Sequence, residues 1–157
     1  MKKRNFAHRW SILCTTSSVD TKNNNVSLFN VVEQVQVTKD PLAKKSGPKQ
    51  DRIFVPMRLE FVTLWEKIRS DESATGTVEV HLEDPLGELL QQFRYELSMP
   101  KNRVRNFTTL EGFFVTKEGR YVFKIKAKGS QEDDLQDVGE IPLQVDIANV
   151  LREMQRR

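Results

Sequence analysis

Cysteine is nearly absent from this chain: Cys14 is the single one among 157 residues, so no intramolecular disulfide can staple the fold. Histidine is as scarce. His8 and His81 are the only two, and they cannot supply the closely spaced Cys or His pairs of a structural zinc site. Glycine numbers seven, and none is set in a P-loop, a dinucleotide fingerprint or a nucleophile elbow. Long hydrophobic runs are missing too. The stretch from Trp10 to Cys14 is interrupted by Ser11, too short for the apolar part of a secretory signal behind the basic Met1-Lys2-Lys3-Arg4. No run approaches the ~18 apolar residues of a membrane span. These absences lead to the expectation of no familiar catalytic apparatus, no metal, no cofactor, no membrane anchor, and a reducing, cytoplasmic setting.

What is present is charge and alternation. Hydrophobic residues make up 38% and charged residues 30% of the chain, enough apolar content for a single domain with its own core. Nine phenylalanines point to an aromatic, β-branched core. The net charge of +3 hides a gradient: residues 1–50 net +6, residues 51–100 net −5 and the remainder +2. So mild an excess describes a solvated surface better than a nucleic-acid site.

The clearest pattern is a closing hairpin. Tyr121, Phe123, Ile125 and Ala127 alternate with Arg120, Lys124, Lys126 and Lys128, and a second alternating run follows from Val138 to Val145. A period of two places one face on a core and the other in water. Upstream, a basic frayed arm (1–8) leads into a strand from Arg9 to Thr16, with Trp10, Ile12 and Cys14 on its buried side. Asp20 to Asn25 reads as a turn, since Asn and Asp tolerate left-handed backbone. Val26 to Val37 reads as one long strand, bent near Asn30 where the apolar parity changes.

Lys39 to Asp51 reads as a mobile loop. Ile53 to Trp65 reads as a strand burying Leu59, Phe61 and Trp65, with Pro56 at an edge or bulge. Glu66 to Gly76 is polar and suits a short helical turn. Val78, Val80 and Leu82 alternate inward, Asp84-Pro85-Leu86-Gly87 forms a type I turn, and Gln91, Phe93, Tyr95 and Leu97 share a face of the return strand. Val104 to Phe114 is a further strand, with Phe107 and Leu110 in the core. In 147–157 the period changes: Ile147, Val150, Leu151 and Met154 fit one face of a short helix capped by Asp146. The sum is an all-β fold: an antiparallel two-sheet sandwich, immunoglobulin-like, of seven or eight strands (9–146) with a short C-terminal α-helix. A barrel of the same strands is the alternative.

Candidate sites are few. The helix stripe Ile147, Val150, Leu151 and Met154 is the first choice for contact with a protein partner or a second copy. The face bearing Arg120, Lys124, Lys126 and Lys128, joined by Lys101, Arg103 and Arg105 if their strands pair, suits a phosphate backbone. It lacks the interleaved aromatics of single-strand binders. Glu132, Asp133, Asp134 and Asp137 crowd one loop, but without the spaced pattern of a calcium loop they read as solvated acids. His81 lies between Glu79 and Glu83 as a surface histidine, and Cys14 as a small buried hydrophobe.

The order of these motifs resembles a family of uncharacterised bacterial immunoglobulin-like β-sandwich domains. The residues that carry the resemblance are the Trp10-to-Cys14 strand, Val26 to Val32, the Asp84-Pro85-Leu86-Gly87 turn, Gly119 to Phe123 and Gly139 to Val145. The resemblance implies the fold and transfers no activity. The expected function is a non-catalytic binding module acting through protein–protein contacts, as a homodimer or with another protein. Nucleic-acid binding through the basic face is the first alternative, and an enzyme built on an unfamiliar carboxylate pair the second.

Overall fold

The computed structural model describes residues 3–39 and 52–149, and within them every regular element is a strand. There are eleven: β1 (Phe6–Val19), β2 (Val26–Val31), β3 (Gln34–Lys39), β4 (Ile53–Val55), β5 (Leu59–Lys67), β6 (Ala74–Glu83), β7 (Leu89–Met99), β8 (Arg103–Leu110), β9 (Phe113–Val115), β10 (Gly119–Gly129) and β11 (Gln136–Asn149). They form three sheets, with strand orders β2-β1-β5-β8, β3-β11-β10-β6-β7 and β4-β9.

This corrects the expected immunoglobulin-like two-sheet sandwich in three respects. A third, two-stranded sheet is present. One strand pair, β3 with β11, runs parallel. Among the described residues no helix follows Asp146: Asp146, Ile147, Ala148 and Asn149 continue β11 opposite Gln36, Val37, Thr38 and Lys39. Helical spacing over about two turns is a weak local preference, and a strand partner already in place overrides it at 146–149. The remainder of the expected helix lies outside the described residues.

The extra strands come from local breaks in longer patterns. Pro56 lacks a ladder donor and parts β4 from β5. Gly112, at a φ of 147°, parts β8 from β9. The run from Val26 to Val37 does bend at Asn30, which holds a φ of 50°, and the bend carries the chain from one large sheet to the other. Val32 N bonds Leu13 O in the first sheet, and Glu33 O accepts from Gln144 N in the second. The chain is also ordered earlier than expected: Phe6, placed in the frayed arm by its neighbours' charge, is fully buried in β1. Residues 40–51, most of the expected loop, are outside the described residues, and 68–73 form turns and bends where a helical turn was anticipated.

The two large sheets meet through aromatic side chains. Phe61 on β5 packs edge-on to Phe93 of β7 at 5.5 Å and tilted against Phe123 of β10 at 5.7 Å. Trp65 donates its indole N–H to Tyr95 Oη at 3.0 Å. Burial pushes the Tyr95 phenol up to about 12, against the opposing effect of the Trp65 bond, so it stays neutral as acceptor and donor. The expected inward sets of β6 and β10 are buried as read: Val78, Val80, Leu82, Tyr121, Phe123, Ile125 and Ala127. Gly87 N bonds Asp84 O at 2.9 Å in the expected turn.

Candidate functional site

The parity expected of β1 is inverted past a bulge, and the inversion creates the most distinctive surface of the molecule. A register shift between His8 and Trp10 inserts a bulge, so the side chains that face the core change from Phe6 and His8 to Ser11 and Leu13. Leu13, opposite Phe61, is buried. Trp10 and Ile12, expected in the core, fall on the other face of the four-stranded sheet, opposite Leu64 and Val62 of β5. On β8, Phe107 lies opposite Val62 and Arg105 opposite Leu64. Phe107, a core candidate by pattern, is therefore on this outer face and 42% exposed.

An outer face of this kind would ordinarily be polar. Here Trp10, Ile12, Val62, Leu64 and Phe107 put a large apolar share on it among polar groups. Cys14, Val62 and Leu64 are buried, yet they stand apart from the main core cluster. The β1–β2 turn folds back over the face: Arg105 Nη2 donates to Asn24 O at 2.6 Å and to Asn24 Oδ1 at 2.7 Å. Asn24 takes the left-handed φ of 56° that this turn requires. The result is an open hollow of about 700 Å³ with Trp10, Leu64 and Phe107 as its floor. Val19, Asn23, Asn24, Asn25 and Val26 form one wall, and Arg103 and Arg105 form the other. Beside it, Phe29 and Val31 of β2 stand 50% and 53% exposed. Hydrophobic side chains, two guanidiniums and amide groups line it, a composition suited to holding an apolar side chain beside an acidic group. Cys14 is packed beneath this face. Burial first, then the charge of Glu60, raises its thiol pKa against two weaker backbone bonds, which keeps it protonated.

One sequence signal did point here. Leu59 to Trp65 reads apolar on both parities apart from Glu60 and Thr63, as a strand covered on both faces does.

The other candidates are arranged differently from their reading. On β10, Lys124 Nζ is 3.0 Å from Glu83 Oε2, Lys126 Nζ 2.8 Å from Asp137 Oδ1, and Arg120 Nη2 3.7 Å from Glu140 Oε1. Lys128 Nζ donates to Asp133 O at 3.2 Å. The flanking strands β6 and β11 thus bring one acid to each of the first three cations, and the face is charge-compensated. The Glu83 bond holds the Lys124 ammonium above its ordinary value, and the Lys126 bond holds the Asp137 carboxyl below its own. Arg103 and Arg105 do not join this face, because β8 pairs with β5 in the other sheet.

The acidic loop is likewise occupied by its own chain. Glu132 Oε2 accepts from Gly129 N at 2.7 Å and Asp137 is paired with Lys126. Among the described residues no three His, Cys, Asp or Glu side chains converge as metal ligands. Glu96 and Glu132 border one groove, but Glu96 is held by Thr77 Oγ1 at 2.9 Å and by Arg94. His81 Nε2 lies 2.9 Å from Glu79 Oε2. Of the expected stripe, Ile147 packs against the core from β11; Val150, Leu151 and Met154 lie outside the described residues. Among the described residues no helix is long and apolar enough to cross a membrane.

Neither a family model nor a curated protein matches the chain. Among solved structures it is similar to the CooA pilin subunit from enterotoxigenic Escherichia coli. The identity is 12% and the TM-score 0.34, over 87% of this chain and 99% of that one. So slight a likeness has no bearing on what this protein does.

Proposed function

We propose that this chain is a non-catalytic binding module whose contact surface is the outer face of the four-stranded sheet. The observation that carries the reading is the exposure of Phe107, Phe29 and Val31 around a hollow whose floor is Trp10 and Leu64. Soluble proteins seldom leave so much contiguous apolar surface uncovered unless something binds there. The occupant is an extended segment of a protein partner, with a large apolar side chain seated on Trp10 and Phe107 and a carboxylate beside Arg105, next to Arg103, which faces Glu66 Oε2 at 3.8 Å. The compensated β10 face weighs against the nucleic-acid alternative, and the side chains lining the hollow favour holding over chemistry. A single protonated, buried thiol fits a reducing compartment, and a cytoplasmic location belongs to the same proposal.

Selection from a random peptide library on the immobilised protein tests it. The expected ligands carry an aromatic or aliphatic anchor next to Asp or Glu. Their affinity should fall by about tenfold or more with Phe107→Ala or with the Arg103→Glu/Arg105→Glu pair, in protein that melts normally. Ligands indifferent to both changes, or no enrichment at all, would overturn the assignment.

A further inference from the structure

The five-stranded sheet ends in an edge that is built unlike the others. Of the four outer strands, β2, β3 and β8 cover 6, 6 and 8 residues, whereas β7 covers 11. The first part of β7 is covered: Arg52 Nη1 bonds Leu90 O at 3.4 Å and Gln91 Nε2 bonds Gly112 O at 3.5 Å. Among the described residues, β7 from Gln92 onward has a strand partner on one side alone, β6. The register of β7 slips once, at Leu90, and the edge beyond it has neither Pro nor bulge up to Met99, which makes it a template for another strand.

The side chains on this edge are self-complementary in a single register. Residues directly opposite in an antiparallel pair must share a face, so a two-fold axis passes through a residue position. Centred on Arg94 or on Glu96, the axis sets like charges against each other. Centred on Tyr95, it sets Arg94 against the second copy's Glu96 and Glu96 against the second copy's Arg94. The same register pairs Phe93 with Leu97 on the core side and Gln92 with Ser98. Arg94 and Glu96 are 56% and 71% exposed and already 3.4 Å apart within one chain, so exchanging partners across the axis takes rotamer changes that compete with the Arg94–Glu79 and Thr77–Glu96 contacts. β8, the next longest edge, carries Arg103 and Arg105 and no acid. We infer that two copies of this chain join through β7, antiparallel and centred on Tyr95, making one continuous ten-stranded sheet. This surface belongs to the sheet opposite the hollow, so the inference stands or falls separately from the function proposed above.

Sedimentation of the whole chain across a concentration series tests it. The expected result is a reversible, weak dimer, as a short edge contact gives, further weakened by salt. Arg94→Glu and Glu96→Arg should each weaken association more than about tenfold, because each sets like charges across the axis. An equimolar mixture of the two variants should recover it as a heterodimer. A wild-type chain that stays monomeric up to several hundred micromolar overturns the inference, and so does a dimer indifferent to both reversals. Should either variant melt early, hydrogen exchange on the wild type decides. Amides of Gln92 to Ser98 gain protection with concentration if β7 is the contact, and unchanged exchange there overturns it.

Discussion

Asn5 is a short polar side chain that organises a distant turn. It is 7% exposed, its amide nitrogen reaches the carbonyls of Arg69 (2.9 Å), Glu72 (3.2 Å) and Ser73 (3.3 Å), and its oxygen accepts from Arg69 N at 2.7 Å. Asn5→Ala leaves those buried groups unpaired and should lower stability by about 1–3 kcal/mol in urea unfolding. Two other residues set the response to acid. At Asp84 burial alone would raise the carboxyl. Bonds from Glu88 N, Thr116 and Leu86 N, with Lys117 nearby, outweigh it and hold the group below its ordinary 3.8. A depressed folded value means that this contribution is whole above the unfolded value and is lost as pH falls through the folded one. His8 is lowered from 6.5 by burial, with the Val138 backbone bond acting in the opposite sense. The unfolded chain therefore binds a proton that the folded chain refuses, and stability declines as pH drops from about 6.5 toward the folded value. Chemical denaturation between pH 2.5 and 8 should show both slopes, with Asp84→Asn flattening the lower and His8→Gln the upper.

Among the elements, those with strict alternation were the most legible. β6 and β10, and β7 beyond its first turns, show their inward residues in sequence, because each has one dry and one wet face. β1 was not legible. A one-residue bulge leaves no compositional trace, yet it moves every later side chain to the opposite face. The outer-face hollow was lost with it, since Trp10 and Phe107 look like core residues by composition alone. The end of β11 was misread for another reason: its partner β3 lies more than a hundred residues upstream, beyond any local window. The inter-sheet contact is legible only as a Phe at an inward position. Phe61→Ala removes the ring that touches both Phe93 and Phe123 and should cost about 3–5 kcal/mol in equilibrium unfolding. Phe107→Ala, on the outer face and partly wet, should cost well under half of that. Equal losses would mean that the hollow is core in all but name.

At the scale of the whole molecule, the two large sheets are joined by a chain that crosses between them at Val32–Glu33 and by aromatic contacts through the middle. All-β character was evident from sequence, but the number of sheets and the parallel pair were not, because strand order is set by pairings that no period encodes. The parallel β3–β11 pair is the strand pairing of widest sequence separation among the described residues. A chain ended after Asp146 keeps three of the six β3–β11 register pairs, Gln144 with Gln34 through Asp146 with Gln36. It should melt several degrees lower and exchange its β3 amides faster, while the β6–β7 hairpin keeps its protection.

That same pair has a consequence for how the protein is made. β3 leaves the ribosome well ahead of β11 and waits, unpaired on that side, through the synthesis of some hundred further residues before its neighbour emerges. The nascent chain can assemble β1, β2, β5 and β8 meanwhile, but the larger sheet closes only once β11 has emerged. Ribosome-bound chains arrested before Gln144 has emerged should thus remain sensitive to protease at β3, and lose that sensitivity within a few residues of its release.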